Sequence, residues 1–342
     1  MKQKAVEQLP RVVVDVGVDG LDVESQPVKR DLLSITDLSA DEIEHIIADA
    51  VELKREFRAH GRHEPAFAGQ TLIMIFEKPS LRTRVSFEIG MTQLGGHTVD
   101  LPIAEIGMGV REPLRDVAEV LSRMGAILMA RTYRHETIVE LARYSRVPVI
   151  NGLSDLEHPC QTLADLLTMH EYKGALRNLQ VAFFGDSENN VAHSLALAAG
   201  LLGMHFTACS PLGYWMDPQV AGLARGLAAK SGGTITETES YQDAAVGADV
   251  VYTDTWVSMG DEMERDTRLQ HLGPFQVTSN TMRAAKRDAI LMHDMPAYRG
   301  QEVTAEVIAG PQSVMYQQAE NRLHAQKAAM LYLVGHSRGA RQ

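Results

Sequence analysis

The sequence predicts an α/β protein of two domains, each a parallel sheet flanked by helices. Three observations carry that expectation. Short apolar runs alternate with helical patterns along most of the chain, the signature of parallel α/β layers. The alternation falls into two sets, with a helical segment near 158–172 between them. The length, 342 residues, favours two cores over one, since domains usually hold about 100–200 residues.

Residues 1–30 read as an N-terminal arm. Val12, Val13 and Val14 are followed by Asp15, Asp19, Asp22 and Glu24, too acidic for a transit peptide and without the uninterrupted apolar core of a signal peptide. Ser39 and Glu42 then have the spacing of a capping box, and Ile43, Ile46, Ile47, Ala50 and Leu53 recur on one face, predicting a helix over 40–58. The apolar run 71–76 predicts a buried strand. Runs at 126–130 and 147–150 alternate with helical patterns near 84–94, 113–124 and 136–144, filling a first domain over 31–150.

A second domain, 151–310, is expected from runs at 181–184, 205–209, 249–253 and 290–293, alternating with helical stretches near 190–202, 217–230 and 280–287. In the segment between the sets, Leu163, Leu166, Leu167 and His170 have helical spacing, so this helix should bridge the halves. A last helix, about 317–334, follows Gly310-Pro311 and is expected to pack back across the boundary, so that 311–342 completes the first domain.

Composition narrows the function. Lys and Arg number 33 against 44 Asp and Glu, a balance of −11 that argues against nucleic acid or an anionic membrane as partner. An anionic ligand would need a local arginine cluster. Cys160 and Cys209 show no metal-ligand spacing and no disulfide framework, which fits a reducing cytoplasm and predicts no metal. No run of about 18 apolar residues is present to span a bilayer.

The densest chemical signal is Phe76-Glu77-Lys78-Pro79-Ser80-Leu81-Arg82-Thr83-Arg84. A strand ends, Pro79 breaks the pattern and hydroxyls appear where a helix begins. Free backbone N–H groups, the positive helix end and two guanidinium forks then surround one point, a site for phosphate. The alternative is a well-capped helix whose arginines pair with surface carboxylates. In His158-Pro159-Cys160-Gln161, Pro159 suits a first helical turn, which places His158 at its cap and Gln161 one turn on. An imidazole there could polarise a carbonyl, and the amide oxygen could hold an adjacent NH₂. A satisfied structural histidine is the competing reading.

Gly185-Asp186-Ser187-Glu188-Asn189-Asn190 follows a strand, but it has one glycine where a dinucleotide fingerprint needs three, and its acids would repel a pyrophosphate. A nicotinamide cofactor is disfavoured, and a cationic or zwitterionic ligand suits this turn better. Asp254 and Asp294 end later strands. Trp256 and Met259 near the first of them are as readily core as contact.

Together these motifs resemble the aspartate/ornithine carbamoyltransferase family, on its ornithine branch, over about residues 31–335. The resemblance rests on Ser80-Leu81-Arg82-Thr83-Arg84, His158-Pro159-Cys160-Gln161, Asp254 with Ser258-Met259-Gly260, and Glu320-Asn321-Arg322. It implies a carbamoyl-phosphate-binding domain and an ornithine-binding domain joined by two helices. It implies carbamoyl phosphate held by Ser80, Leu81, Arg82, Thr83, Arg131, His158, Gln161, Met295 and Arg322, and ornithine met by Asn190, Asp254, Ser258 and Met259. Arg131, His158 and Arg322 would act on the reacting carbonyl, with no metal or organic cofactor. Assembly as trimers with sites at subunit interfaces is implied as well.

One departure matters. The family usually has Cys-Leu after the histidine at 293, and here the pair is Asp294-Met295. Asp294 would hold the attacking amine's ammonium form, act as its base, select a different amine such as putrescine or an acetylated diamino acid, or replace the thiol neutrally. A non-catalytic regulatory relative is the outcome if Asp294 disables the chemistry.

Overall fold

The computed structural model describes residues 29–103, 107–257 and 262–336. Among the described residues, nine strands form two wholly parallel sheets. The first has four: β1 (Thr71–Phe76), β2 (His97–Pro102), β3 (Ile127–Arg131) and β4 (Val149–Leu153), in the order β2-β1-β3-β4. The second has five: β5 (Gln180–Phe184), β6 (His205–Cys209), β7 (Thr234–Thr238), β8 (Val250–Thr253) and β9 (Ile290–His293), in the order β7-β6-β5-β8-β9. Helices flank both sheets, so the expected fold class is the observed one.

Local chemistry explains where elements begin. Ser39 caps helix Ala40–His60 through its side chain on Glu42 N–H, and Glu42 returns to the Ser39 N–H, the reciprocal pair that the spacing predicts. Ser80 caps helix Leu81–Gln93 by accepting from Thr83 N–H at 3.3 Å, which starts the helix three residues ahead of the expected 84. Pro159 occupies the first turn of helix Pro159–Lys173 with His158 at its cap.

That last helix is central. Every residue from Pro159 to Met169 is buried, and the helix packs against helix Met315–Leu333, which also lies on Ala40–His60 and Leu81–Gln93. Leu163, Leu166 and Leu167 thereby join a core cluster running continuously from Met74 in the first sheet to Phe183 and Tyr252 in the second. Full burial of each leucine stabilises the junction by about 1.5–3 kcal/mol. The two sheets are thus joined through packed helices rather than a loose linker.

Two strands go beyond the sequence reading, β2 and β7. Both lie at sheet edges, and His97 and Val99 in β2, like Thr234 and Thr236 in β7, face solvent. An edge strand with one wet face lacks the continuous apolar run that marks the interior strands. Of the expected arm, residues 1–28 lie outside the described residues. Its last two are tethered: Lys29 pairs with Asp31 at 3.0 Å and Arg30 with Glu42 at 2.5 Å. Among the described residues, no helix is long and apolar enough to cross a membrane.

Candidate active site

Open parallel sheets bind ligands beyond the carboxyl ends of their strands, where the strand order reverses. The first sheet reverses between β1 and β3, and the second between β5 and β8. Ser80 to Thr83 follow β1, and Arg131 ends β3 opposite Phe76. Asn190 begins the helix after β5, and Asp254 follows β8. Because Thr253 and His293 are register partners, Asp254 and Asp294 emerge side by side from β8 and β9. Both crevices open into one cavity of about 320 Å³.

One wall is basic. Ser80, Leu81, Arg82 and Thr83 at the helix start are joined there by Arg131, His158 and Arg322. Arg322 is buried in helix Met315–Leu333, with Nη1 donating to Gln161 Oε1 at 2.7 Å and Nη2 to Thr83 Oγ1 at 3.1 Å, so its fork is fixed before any ligand arrives. Arg82 donates to the carbonyl of Met295, a contact that links the two halves across the cleft; Met295 holds a positive φ of 66°. Arg131 is buried, its Nε–H donating to no acceptor among the described residues, and burial beside Arg322 and Arg82 pulls it down to about 10 against the attraction of Asp294. It stays protonated at neutral pH. Three guanidinium groups around a helix N-terminus make this wall strongly cationic in a protein that is acidic overall.

His158 is fully buried. Burial, with Arg322, Arg131 and Arg82 nearby, holds its imidazole well below the usual histidine range, so it is neutral. Its backbone N–H donates to Ser194 Oγ at 2.8 Å, while Nδ1 has no partner among the described residues. A buried unpaired polar atom costs free energy unless something meets it, and this one belongs to a cavity-lining residue.

The other wall is acidic. Asp254, Asp294 and Asn190 line it with Met295. Burial and the neighbouring Asp294 push Asp254 up to about 7, and His293 Nδ1 stands 3.9 Å from Asp254 Oδ1. His293 is itself clamped: Nδ1 accepts from Met295 N–H at 2.8 Å, so Nε2 carries the proton and donates to Glu302 at 3.0 Å. Asn190 donates from Nδ2 to Ser154 O at 2.7 Å, which turns its carbonyl oxygen elsewhere.

The cavity thus gathers Ser80, Leu81, Arg82, Thr83, Arg131, His158, Asn190, Asp254, Asp294, Met295 and Arg322. Gln161 stands behind Arg322. Ser258 and Met259 lie outside the described residues. The Asp186 turn does not reach the site as a free acid: Asp186 forms a buried ion pair with Arg268, whose Nε donates to Trp256 O at 2.7 Å. Trp256 is core, packed with Tyr214 and Leu272. Cys160 packs as well, its Sγ on Asn151 O at 3.3 Å. Sequence reading assigned no role to Lys78, Thr255 or Tyr298, which line the cavity, nor to Asp165, buried behind it. Asp165 stands four residues after Gln161 in an apolar helix, a spacing that puts both on one helical face but says nothing of the burial that Gln318 and Tyr252 complete.

Fold and site together define a two-domain α/β protein with a basic and an acidic wall facing one another across a cleft. Comparison makes this specific. Residues 30–171 match the model for the aspartate/ornithine carbamoyltransferase carbamoyl-P binding domain, and residues 177–333 match that for the aspartate/ornithine carbamoyltransferase Asp/Orn binding domain. The chain belongs to the aspartate/ornithine carbamoyltransferase family. It is 49% identical to the ornithine carbamoyltransferase of Anoxybacillus flavithermus over 89% of this chain and 96% of that protein. The corresponding enzyme of Carboxydothermus hydrogenoformans is 48% identical over 90% and 98%. The solved ornithine carbamoyltransferase of Pyrococcus furiosus superposes with a TM-score of 0.86 at 45% identity, covering 90% of this chain and 97% of that one.

Proposed function

We propose that this protein transfers the carbamoyl group of carbamoyl phosphate to the side-chain amine of L-ornithine, giving L-citrulline and phosphate. The observation that carries the reading is the continuous cavity in which Arg82, Arg131 and Arg322 face Asp254 and Asp294.

In this reading the phosphate rests on the N–H groups of the helix start, with Ser80, Leu81, Arg82 and Thr83, while Met295 closes the far side. The carbamoyl oxygen meets Arg131, Arg322 and the neutral imidazole of His158. The Gln161 amide oxygen accepts from the carbamoyl NH₂. Asp254 receives the α-ammonium of ornithine, with Asn190, Ser258 and Met259 beside it. An alkyl ammonium has a reference pKa of about 10.4 and cannot attack, so the neutral amine is the nucleophile. Its nitrogen bonds to the carbonyl carbon, negative charge grows on the carbonyl oxygen beside the guanidinium groups, the C–O bond to phosphate breaks, and the departing phosphate takes the amine proton. Preorganised donors of this kind are each worth about 10²–10³ in rate.

Domain roles follow the same division: 31–150 with the terminal helix in 311–342 for carbamoyl phosphate, and 151–310 for ornithine. Assembly as a homotrimer, or a multiple of trimers, is part of the proposal. Leu81, Val85 and Ile89 are exposed on the outer face of helix Leu81–Gln93, beside a groove lined also by Ala319 and Leu323, an apolar surface that a second subunit would cover. The proposed compartment is the cytoplasm, and the two buried free thiols suit it.

Purified protein supplied with carbamoyl phosphate should form citrulline from ornithine. Because Asp294 favours a second reading, another amine, the same assay is run with putrescine and N-acetylornithine. Carbamoylation of either of these in place of ornithine would overturn the substrate assignment and leave the transferase reading intact.

A further inference from the structure

Asp165 is a fully buried carboxylate with no place in the chemistry above, and it stands at the junction of the two sheets. Its Oδ1 accepts from Gln161 Nε2 at 2.8 Å and from Gln318 Nε2 at 2.7 Å, and its Oδ2 accepts from the Tyr252 hydroxyl at 3.1 Å. The other end of the Gln161 amide accepts from Arg322 Nη1 at 2.7 Å. Gln161 is therefore held between an obligate donor and an acceptor.

We propose that Asp165 is a positioning residue that fixes the orientation of the Gln161 amide, and through it the selection of a carbamoyl group, with its NH₂, over an acyl group of the same shape. This rests on the carbamoyl-transfer reading above. The argument is one of polarity. Turning the Gln161 amide over would set its oxygen against Asp165 Oδ1 and its NH₂ against the Arg322 guanidinium. Two buried hydrogen bonds would become two like-polarity contacts, each leaving polar atoms unpaired. The amide oxygen, an acceptor, is then the end held at Arg322 on the cavity wall, and an acceptor suits NH₂ but not CH₃. A site built on such a hydrogen bond rejects the analogue that lacks it far better than a shape filter does.

The protonation state of Asp165 does not alter this. Burial and nearby Asp294 push it up to about 8, but both glutamine amides are bound at Oδ1, leaving Oδ2, on the Tyr252 side, for the proton. Asparagine keeps an Oδ1 in the same place, whereas leucine, of similar volume, offers no acceptor. The two substitutions therefore separate orientation from charge and packing.

The experiment measures citrulline formation and its inhibition by acetyl phosphate, in which CH₃ replaces the carbamoyl NH₂, in wild type, Asp165→Leu and Asp165→Asn. Wild type should bind carbamoyl phosphate far more tightly than acetyl phosphate. Asp165→Leu should lose at least about tenfold of that preference, chiefly through a raised KM for carbamoyl phosphate, with the KM for ornithine within about threefold of wild type. Asp165→Asn should retain the preference. If the leucine variant does not fold, Gln318→Leu serves as control: it leaves Asp165 to Gln161 alone, so the preference should persist in it and in Asp165→Asn. A preference unchanged in Asp165→Leu, lost equally in Asp165→Asn, or lost in Gln318→Leu overturns the proposal. Failure of wild type to make citrulline would instead sink the functional reading on which it stands.

Discussion

Arg322 Nη1 stands 3.9 Å from Asp294 Oδ1, so the position at which this chain departs from its family lies against a guanidinium assigned to the reacting carbonyl. That carboxylate oxygen is buried and has no hydrogen-bond partner among the described residues. Asp294 also attracts Arg131 and repels the charge of Asp254 and Asp165. One side chain thereby couples the basic wall to the acidic wall and places a carboxylate beside the arginines.

Arg82 anchors the phosphate in this reading. Replacing it with Ala removes a guanidinium at the helix start and the link to Met295 O, and should weaken carbamoyl phosphate binding by about 2–5 kcal/mol, as for loss of one member of a buried charged pair. Titration calorimetry with carbamoyl phosphate alone measures it. Unchanged affinity would move the phosphate away from residues 80–83.

Asp254 should separate the substrates. Asp254→Asn removes the charge opposite the α-ammonium, so the KM for ornithine should rise at least about tenfold while carbamoyl phosphate alone binds as in wild type. Equal loss of both would mean that Asp254 supports the fold rather than the ligand.

The same residue sets a pH dependence. Asp254 is raised to about 7 in the folded protein from a reference of 3.8. Between those values the native state keeps a proton that the unfolded chain has released, so this group's contribution to stability falls as pH rises through the window. Ornithine binding runs the other way, improving as the carboxylate ionises. Asp254→Asn should therefore melt above wild type at pH 8 with the gap closing toward pH 4, and thermal unfolding across that range checks it. A constant gap would contradict the burial of an ionisable group.

Much of this was legible in the chain. The interior strands stand out because burial on both faces makes Thr71–Phe76 or Val250–Thr253 continuous apolar runs, and helix starts at Ser39 and Ser80 because caps are local chemistry. What stayed hidden depends on partners distant in sequence. His97–Pro102 becomes a strand only by pairing with β1. Asp165 gains its place from Gln318, 153 residues away, and Asp186 is taken out of the site by Arg268, 82 residues away. Burial of a charge is decided by tertiary contacts, and no spacing rule encodes it.

Asp294 decides between amines. A carboxylate beside the attacking nitrogen favours its ammonium form, raising the amine's pKa and opposing attack at neutral pH. It would help only as a proton acceptor, and an ordinary aspartate, at about 3.9, is poorly matched to an amine near 10.4. Asp294→Cys, the family's usual residue, should thus increase ornithine turnover near pH 7 and shift the activity optimum to lower pH, read from kcat and kcat/KM profiles between pH 6 and 10. Loss of turnover in that variant would make Asp294 a required group and defeat the argument from charge. If wild type ignores ornithine and Asp294→Cys accepts it, the carboxylate is a selector for a different amine, and the anion site built from Ser80, Arg82, Arg131 and Arg322 stands unchanged.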